Sequence, residues 1–206
     1  MAETRDRDIR MALRGELEGR FCRDPDTRII EELGICEGNV RIDLAVANCA
    51  LHGYEIKSGA DTLQRLPAQA EAYSKVFDYI TLVTAERHLT SVERIVPRWW
   101  GITLARSTPE GVLLEPAHAS SENPGVEAYV LAQLLWRDEA LTLARECTET
   151  RGLASKPRAY LWRCLAETLD LVDLKQAVRN QLKVRTGWRA DGLPSSGGDP
   201  SRSVST

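Results

Sequence analysis

Three extended segments in close succession constrain the fold of this chain more than any other feature. Residues 28–35, 40–47 and 51–57 are rich in Ile, Leu and Val, and short turns separate them. Within 40–47, apolar residues alternate with small or charged ones, which is the period of two expected of a half-buried strand. Segments this closely spaced predict an antiparallel meander, because hairpins need only short links. One face of the second strand is predicted to carry Val40, Ile42, Leu44 and Val46.

A helix and a further strand are predicted after the meander. The helix is expected to begin at a capping Asp61 and to run to about Asp78, with Pro67 inside it causing a kink or two helical pieces. Residues 79–85, Tyr-Ile-Thr-Leu-Val-Thr-Ala, are almost continuously apolar, as in a strand buried on both faces. A meander followed by a crossover helix and a strand predicts a mixed α/β sheet rather than a Rossmann fold.

Further helices are predicted on either side of this core. We expect residues 1–120 to form the α/β core, 121–189 a helical extension packed on it, and 190–206 a disordered tail with almost no apolar residue. The other predicted elements are helices over 5–21 and 91–96, strands over 99–105 and 112–115, and helices over 126–147 and 160–183.

Composition and missing motifs exclude several functional classes. No apolar run in the 206 residues approaches the roughly 18 that a membrane helix needs, and the charged start has no apolar signal segment. Five cysteines without a C-x-x-C pair give little support to a disulfide, zinc or iron–sulfur scaffold. Without a P-loop or G-x-G-x-x-G motif, no nucleotide cofactor is expected. We therefore expect a cytoplasmic protein that makes no membrane contact.

The residues with the clearest chemical content are Asp43, Glu55 and Lys57. If the second and third strands form a hairpin around Asn48-Cys49-Ala50, Asp43 lies directly opposite Glu55. Opposed Cβ atoms are about 4.5–5.5 Å apart, so two carboxylates there need a cation between them. Mg²⁺ prefers such oxygen ligands, and Lys57 would reach the same spot from the same strand face. The alternative is that all three are ordinary solvated side chains.

Gln69 and Tyr73 add a second element to this group. They are four residues apart, so they share one face of the predicted helix after Lys57. An amide and a hydroxyl that point towards paired carboxylates suit contacts to water and phosphate. Taken alone, the two residues are better explained as an exposed glutamine and a core tyrosine.

Together, Asp43, Glu55-Ile-Lys57 and Gln69-Ala-Glu-Ala-Tyr73 resemble the motifs of the PD-(D/E)XK nuclease superfamily. The match is to the RecB-like branch, in which the E-x-K strand precedes a helix bearing QxxxY, and to a small group of bacterial proteins within it. The resemblance spans roughly residues 28–105. It implies a restriction-endonuclease-like α-β-β-β-α-β core and hydrolysis of DNA phosphodiester bonds with Mg²⁺ or Mn²⁺.

The resemblance also implies roles for individual residues. Asp43 and Glu55 would hold the metal together with the backbone carbonyl of Ile56, and Lys57 would position or activate the attacking water. The residues that would shape the site are Gln69 and Tyr73.

One position departs from the superfamily pattern and one is open. Ile42 replaces the proline of the superfamily's name. An additional acidic ligand upstream is expected at Glu32, with Glu16 or Glu18 on the first helix as alternatives.

The predicted function is therefore a metal-dependent deoxyribonuclease acting in repair, defence or a mobile element. RNA is an alternative substrate, and a homodimer or a partner protein is left open. The rival hypothesis is a binding or partner-recruiting module that keeps the fold without turnover. Lys175, Arg179 and Lys183 recur every four residues near the C-terminus, either as a solvated face or as a contact to the DNA backbone.

Overall fold

A computed structural model describes residues 5–149 and 151–186; the predicted tail at 190–206 lies outside them. The described chain forms one six-stranded sheet with helices on both faces. The strands are β1 (Arg28–Ile35), β2 (Val40–Ala47), β3 (Leu51–Lys57), β4 (Tyr79–Ala85), β5 (Gly101–Thr108) and β6 (Gly111–His118). The helices are α1 (Asp6–Phe21), α2 (Leu66–Ser74), α3 (Leu89–Ile95), α4 (Ala128–Ala132), α5 (Arg137–Cys147), α6 (Arg158–Thr168) and α7 (Leu171–Val184).

The strand order in the sheet is the order in the chain, from β1 to β6. β1, β2 and β3 form an antiparallel meander, whereas β3, β4 and β5 run parallel to one another. Parallel neighbours need a crossover, which the segments containing α2 and α3 provide. β6 returns antiparallel to β5. The predicted mixed α/β class, with its α-β-β-β-α-β order and helical C-terminal part, is confirmed.

α1 covers one face of the sheet. Ile9, Leu13 and Leu17 are buried against a cluster that includes Leu44 and Tyr54. Their four-residue spacing places them on one side of the helix, as predicted. This packing places the polar face of α1 next to β2, where Arg10 contacts Asp43.

The opposite face of the sheet is covered by α2 and by the C-terminal helices. Tyr73 of α2, Trp162 of α6 and Leu174 of α7 belong to one continuous buried cluster with sheet residues. Packing is close at Gly53, where an added Cβ would lie 2.4 Å from the end of Ile42. The helical C-terminal part therefore shares the core that supports α2.

The alternation of β1 and β2 changes phase at Glu32 and Asp43. These two residues do not pair, although the pairs on either side keep one register. Glu32 has a φ of 52°, a left-handed conformation that costs a residue with a side chain about 1–3 kcal/mol. The flanking pairs are Glu31–Leu44 and Leu33–Ile42.

The phase change separates aliphatic residues that were predicted to share a face. Leu44 and Val46 pack under α1, whereas Ile42 lies in the cluster on the opposite face and Val40 packs against that cluster. The prediction of a single apolar face is therefore wrong. An unbroken alternation in the sequence does not reveal a residue such as Glu32 that leaves the extended conformation.

α2 is shorter than predicted. It begins at Leu66, and Pro67 lies in its first turn, where no N–H is needed, so the proline starts the helix rather than kinking it. Asp61 caps no helix: its carboxylate accepts hydrogen bonds from the backbone N–H and the hydroxyl of Ser58, at 2.7 and 2.6 Å. The helix ends at Ser74, before Asp78.

Each long helix predicted near the C-terminus is two shorter helices. The backbone is extended at Trp136, whose N–H donates to the Glu139 carboxylate at 2.7 Å and so starts α5. It is extended again at Leu169 and Asp170, between α6 and α7. Apolar periodicity continues across both breaks, which is why the sequence did not show them. None of the helices in the described ranges is long and apolar enough to cross a membrane.

Candidate active site

An open cleft of about 430 Å³ lies between β2, the end of β3 and the start of α2. Asp43, Glu55, Lys57 and Gln69 line it, together with Ile56. Side chains that were predicted to act together therefore converge from three separate elements. Tyr73, the remaining predicted residue, is buried and contacts Glu55 from behind the cleft wall.

Glu55 is only 2% exposed and is held by donors from its own strand and from α2. Lys57 forms an ion pair with Oε1, and Gln69 Nε2 donates to the same oxygen at 2.7 Å. The Tyr73 hydroxyl lies 2.7 Å from Oε2 and also 2.7 Å from the carbonyl oxygen of Arg41, and its one proton serves one acceptor at a time. These contacts fix the orientation of the carboxylate.

Burial dominates the electrostatics of this group. It raises the pKa of the Glu55 carboxyl above its ordinary value, and the neighbouring Asp43 carboxylate raises that pKa further. The Lys57 ammonium and the Tyr73 hydrogen bond act in the opposite direction. Burial, followed by the charge of Glu55, also raises the pKa of Tyr73, so the phenol keeps its proton and remains a donor. Glu55 is thus a desolvated carboxylate for which additional positive charge is favourable.

The Asp43 side chain contacts β3 at the point where the backbone pairing of β2 with β3 stops. The predicted register is confirmed for the pairs nearest the turn, but it ends one pair before Asp43 and Glu55. Asp43 Oδ2 instead accepts the backbone N–H of Ile56 at 2.7 Å. The prediction that Asp43 and Glu55 form a directly opposed pair is wrong for this reason. Both carboxylates nevertheless line the same cleft.

Arg10 of α1 provides a cation at Asp43 that the sequence analysis missed. Its Nη2 donates to Asp43 Oδ1 at 2.6 Å, and its Nη1 donates to the Asp43 carbonyl oxygen at 3.1 Å. The same Nη1 lies 2.9 Å from Glu32 Oε1. The available signal was that Arg10 directly follows the buried Ile9, but α1 carries several arginines and the sequence alone does not rank them.

The predicted upstream acid, Glu32, lines the cleft but contacts arginines. Its carboxylate oxygens lie 2.9 Å from Arg10 and 3.3 Å from Arg41. The alternatives, Glu16 and Glu18, form ion pairs along α1 and do not line the cleft. Of the three acids considered, Glu32 is thus the one that the fold brings to Asp43.

The donor set suits a hard divalent cation. Across residues 5–149 and 151–186, no three acidic, histidine or cysteine side chains converge as a ready-made metal cage. Mg²⁺ usually takes one or two carboxylates and completes its coordination with water and substrate phosphate. Asp43 and Glu55 supply two carboxylates in the wall of one cleft, which fits that requirement. The guanidinium on Asp43 Oδ1 marks this oxygen as a place where positive charge is favourable.

A second buried carboxylate, Asp78, lies beside the other end of β3. Its Oδ2 accepts the N–H of Leu51 at 2.7 Å, and its Oδ1 lies 2.8 Å from Lys175 Nζ. Arg179 Nη1 is 3.6 Å from Oδ2, and Lys183 pairs with Asp26 at 2.8 Å. The basic stripe of α7 is therefore turned inward. It neutralises acidic groups of the body and does not present a free face for a DNA backbone.

Trp100 is a core residue. It is buried, and its ring is stacked on that of Tyr73 with centroids 6.1 Å apart. It packs against Tyr73, which in turn contacts Glu55.

Comparison with known proteins finds one curated relative, one solved structure and one family that this chain resembles. Protein cII of Enterobacteria phage P4 is 32% identical over 160 residues, which are 78% of this chain and 60% of that protein. The chain thus spans less than two thirds of the length of this curated relative. A solved structure, the SPO1766 protein of unknown function from Silicibacter pomeroyi, is 17% identical with a TM-score of 0.38, covering 67% of this chain and 88% of that one. The family described as bacteriophage P4 protein cII matches residues 1–193, and the chain belongs to that family.

Proposed function

We propose that this chain is a metal-dependent nuclease that hydrolyses phosphodiester bonds in DNA. The observation that carries the proposal is the Glu55 carboxylate, which is buried in the wall of an open cleft and contacted by Lys57, Gln69 and Tyr73. A buried acid with a purely structural role needs no cleft and no second carboxylate such as Asp43 beside it. The resemblance to PD-(D/E)XK nucleases depends on these same residues.

Asp43, Glu55 and the backbone carbonyl of Ile56 would hold Mg²⁺ or Mn²⁺. When bound, such an ion polarises a phosphoryl oxygen and lowers the pKa of a bound water. Arg10 has to release Asp43 Oδ1 for this, because its guanidinium contacts that oxygen at 2.6 Å. Once released, its planar fork suits a phosphate group.

Lys57 is the residue to which we assign the largest contribution from the chain itself. Its ammonium lines the cleft while the side chain is only 8% exposed, so its charge acts in a largely desolvated environment. There it would orient the attacking water and stabilise the charge that develops on the phosphoryl group. Its ion pair with Glu55 holds it in place for that task.

Gln69 and Tyr73 are positioning residues in this scheme. Both donate to Glu55, and Gln69 Nε2 also lies 3.2 Å from the Tyr73 hydroxyl. The buried Oε1 of Gln69 has no hydrogen-bond partner in the described part of the chain.

The direct test is a cleavage assay on linear duplex, circular and single-stranded DNA, with Mg²⁺, Mn²⁺ or EDTA. We expect metal-dependent cleavage by the wild type and cleavage roughly 100- to 1000-fold slower by Lys57→Ala. Lys75→Ala is the matched control, since Lys75 pairs with Glu71 on the outside of α2. Equal cleavage by both variants would exclude the assigned site, and a parallel RNA substrate decides between the two nucleic acids.

The second candidate function is a non-catalytic nucleic-acid-binding or partner-recruiting module. The observation that favours it is Arg10, which already supplies positive charge at Asp43. Nucleic-acid binding that is insensitive to EDTA, with no cleavage of any substrate, would support this candidate over the enzyme.

The proposed setting is the cytoplasm of a bacterial cell. All five cysteines are free thiols, which agrees with a reducing compartment. The relative in Enterobacteria phage P4 favours a mobile-element role over repair or defence.

A further inference from the structure

A second pocket, of about 410 Å³, lies on the other side of the turn at Cys36–Gly38. Gly38 lines both this pocket and the cleft, so the two share a wall. Gly38 has a φ of 85° and no side chain to obstruct passage between them. The cleft and the second pocket are therefore neighbours, with Gly38 between them.

Two tryptophans form the aromatic part of the pocket. Trp136 is 50% exposed, and the guanidinium carbon of Arg185 lies 4.4 Å from its ring centroid. Trp162 is buried at the base, where its Nε1 donates to the carbonyl oxygen of Leu135 at 3.0 Å. Arg158 lies 5.1 Å from the Trp162 ring. A large, half-exposed indole held by a cation is the kind of surface on which nucleobases stack.

The pocket lining contains more basic than acidic residues. It includes Arg137, Arg158 and Arg185 and one acid, Glu37, while the neighbouring carboxylates of Asp138 and Glu139 pair with Arg137 and Arg185. The side chains of Arg137 and Arg158 are about half exposed, so they face solvent at the pocket mouth. Arg158 is paired with Glu37 at 2.6 Å, and a phosphate can use the other donors of its fork.

We propose that this pocket binds one unpaired nucleotide of the DNA strand that occupies the cleft. The base would lie against Trp136 and its phosphate against Arg137 and Arg158. The volume is in the range of small-molecule sites and accommodates a nucleotide, while a protein partner needs a much broader surface. The inference rests on the proposed nuclease function and deepens it, because it gives the substrate a single-stranded segment next to the cleaved bond.

The experiment measures binding by the full chain in EDTA, so that no cleavage occurs. Fluorescein-labelled oligothymidylate, the corresponding oligouridylate and a blunt DNA duplex are titrated by anisotropy. Trp136→Ala is expected to weaken oligothymidylate binding roughly tenfold, because one stacked base contributes about 1–3 kcal/mol. Duplex binding is expected to change less than twofold.

Tyr160→Ala is the matched control. Tyr160 is another exposed aromatic residue of the C-terminal part, with the Lys156 ammonium 5.0 Å from its ring centroid, but it does not line the pocket. Arg158→Gln tests the phosphate contact separately and should flatten the slope of log Kd against log salt by roughly 0.7. Melting curves of each variant check that it is folded. Trp136→Phe keeps a smaller aromatic ring, so its affinity for oligothymidylate should lie between those of the wild type and Trp136→Ala.

The pocket assignment is overturned if Trp136→Ala binds oligothymidylate as tightly as Tyr160→Ala does, or if the wild type does not bind it at all. Equal effects on oligouridylate extend the assignment to RNA. The nuclease proposal fails on a different measurement, the absence of metal-dependent cleavage, and that result leaves the effect of Trp136→Ala on binding unchanged.

Discussion

A buried carboxylate lies at each end of β3, and the two carboxylates differ in their surroundings. At the Leu51 end, Asp78 is in contact with a backbone N–H, Lys175 and Arg179 inside the core. At the Lys57 end, Glu55 is held from behind but lies in the wall of an open cleft.

The contrast is between a carboxylate enclosed by packed elements and a carboxylate in the wall of a cleft. Asp78 joins β3, the segment before β4 and α7, and the cations that balance it are themselves largely buried. Lys57, which pairs with Glu55, is as little exposed as those cations, but it lines the open cleft together with Glu55 and Asp43. A charged group in the wall of a cleft can exchange its partner for a ligand, whereas one enclosed between packed elements cannot do so without local unfolding.

The largest effect is expected at the Leu51 end of β3, which we call the closed end; the Lys57 end, at the cleft, is the open end. Asp78→Ala removes the partner of two inward-facing cations and leaves the Leu51 N–H without an acceptor, so the free energy of unfolding should fall by about 3–5 kcal/mol. Urea denaturation measures it. Asp26→Ala, which removes only an exposed carboxylate, should cost less than about 1 kcal/mol. Similar losses in the two variants would contradict the distinction between a buried and an exposed acid.

At the open end, Lys57→Ala should affect rate more than stability. The cleavage rate at saturating DNA is expected to fall roughly 100- to 1000-fold, because the ammonium acts on charge that develops in the transition state. Lys57→Arg should restore little, since a planar guanidinium does not replace a compact ammonium. If Lys57→Ala lowers the free energy of unfolding as much as Asp78→Ala does while cleavage persists, the two ends of β3 do not differ as described.

The pH dependence of stability at the closed end of β3 depends on His52. Burial, with a smaller effect of Arg20, lowers the pKa of His52 to about 4, and its Nε2 hydrogen-bonds with Thr81 Oγ1 at 2.9 Å. The folded state therefore favours the neutral ring. This stability is present above about pH 6.5 and is lost as pH falls towards 4, by about 3 kcal/mol. Denaturation series at several pH values should show that His52→Gln lacks this loss; parallel pH curves for variant and wild type would refute it.

The smallest expected effect is that of metal on stability. Mg²⁺ at ten times its Kd should raise the free energy of unfolding by about 1.4 kcal/mol, because only the folded site binds it. Thermal melts with and without Mg²⁺ should show the increase in the wild type and in the exposed control Asp138→Asn, but not in Asp43→Ala. An increase that survives in Asp43→Ala would place the metal elsewhere.

The framework of the site was predictable from sequence because it depends on local patterns. The strand segments, the turn between β2 and β3, and the four-residue spacing of Gln69 and Tyr73 each follow from a short stretch of chain. The convergence of Glu55, Lys57, Gln69 and Tyr73 in space follows from them. The metal, the reaction and the substrate remain predictions.

What the sequence did not show depends on contacts between distant segments. Arg10 reaches Asp43 from a different element, and Trp136 lies where α4 ends and α5 begins, a break hidden by continuous periodicity. The inward turn of Lys175 and Arg179 follows from the position of Asp78 in the core. Each of these needed the packed structure.

The break in pairing at Glu32 and Asp43 has a consequence for how the sheet keeps its register. Both strands change phase together there, so the pairs on either side keep the same partners. A one-residue slip elsewhere in a sheet would move every later side chain to the wrong face. Here the flanking pairs hold the register of β1 and β2, which leaves the carboxylates of Glu32 and Asp43 to contact Arg10. The Asp43 carboxylate also accepts the N–H of Ile56, so the same break in one pair of strands supplies a link to β3.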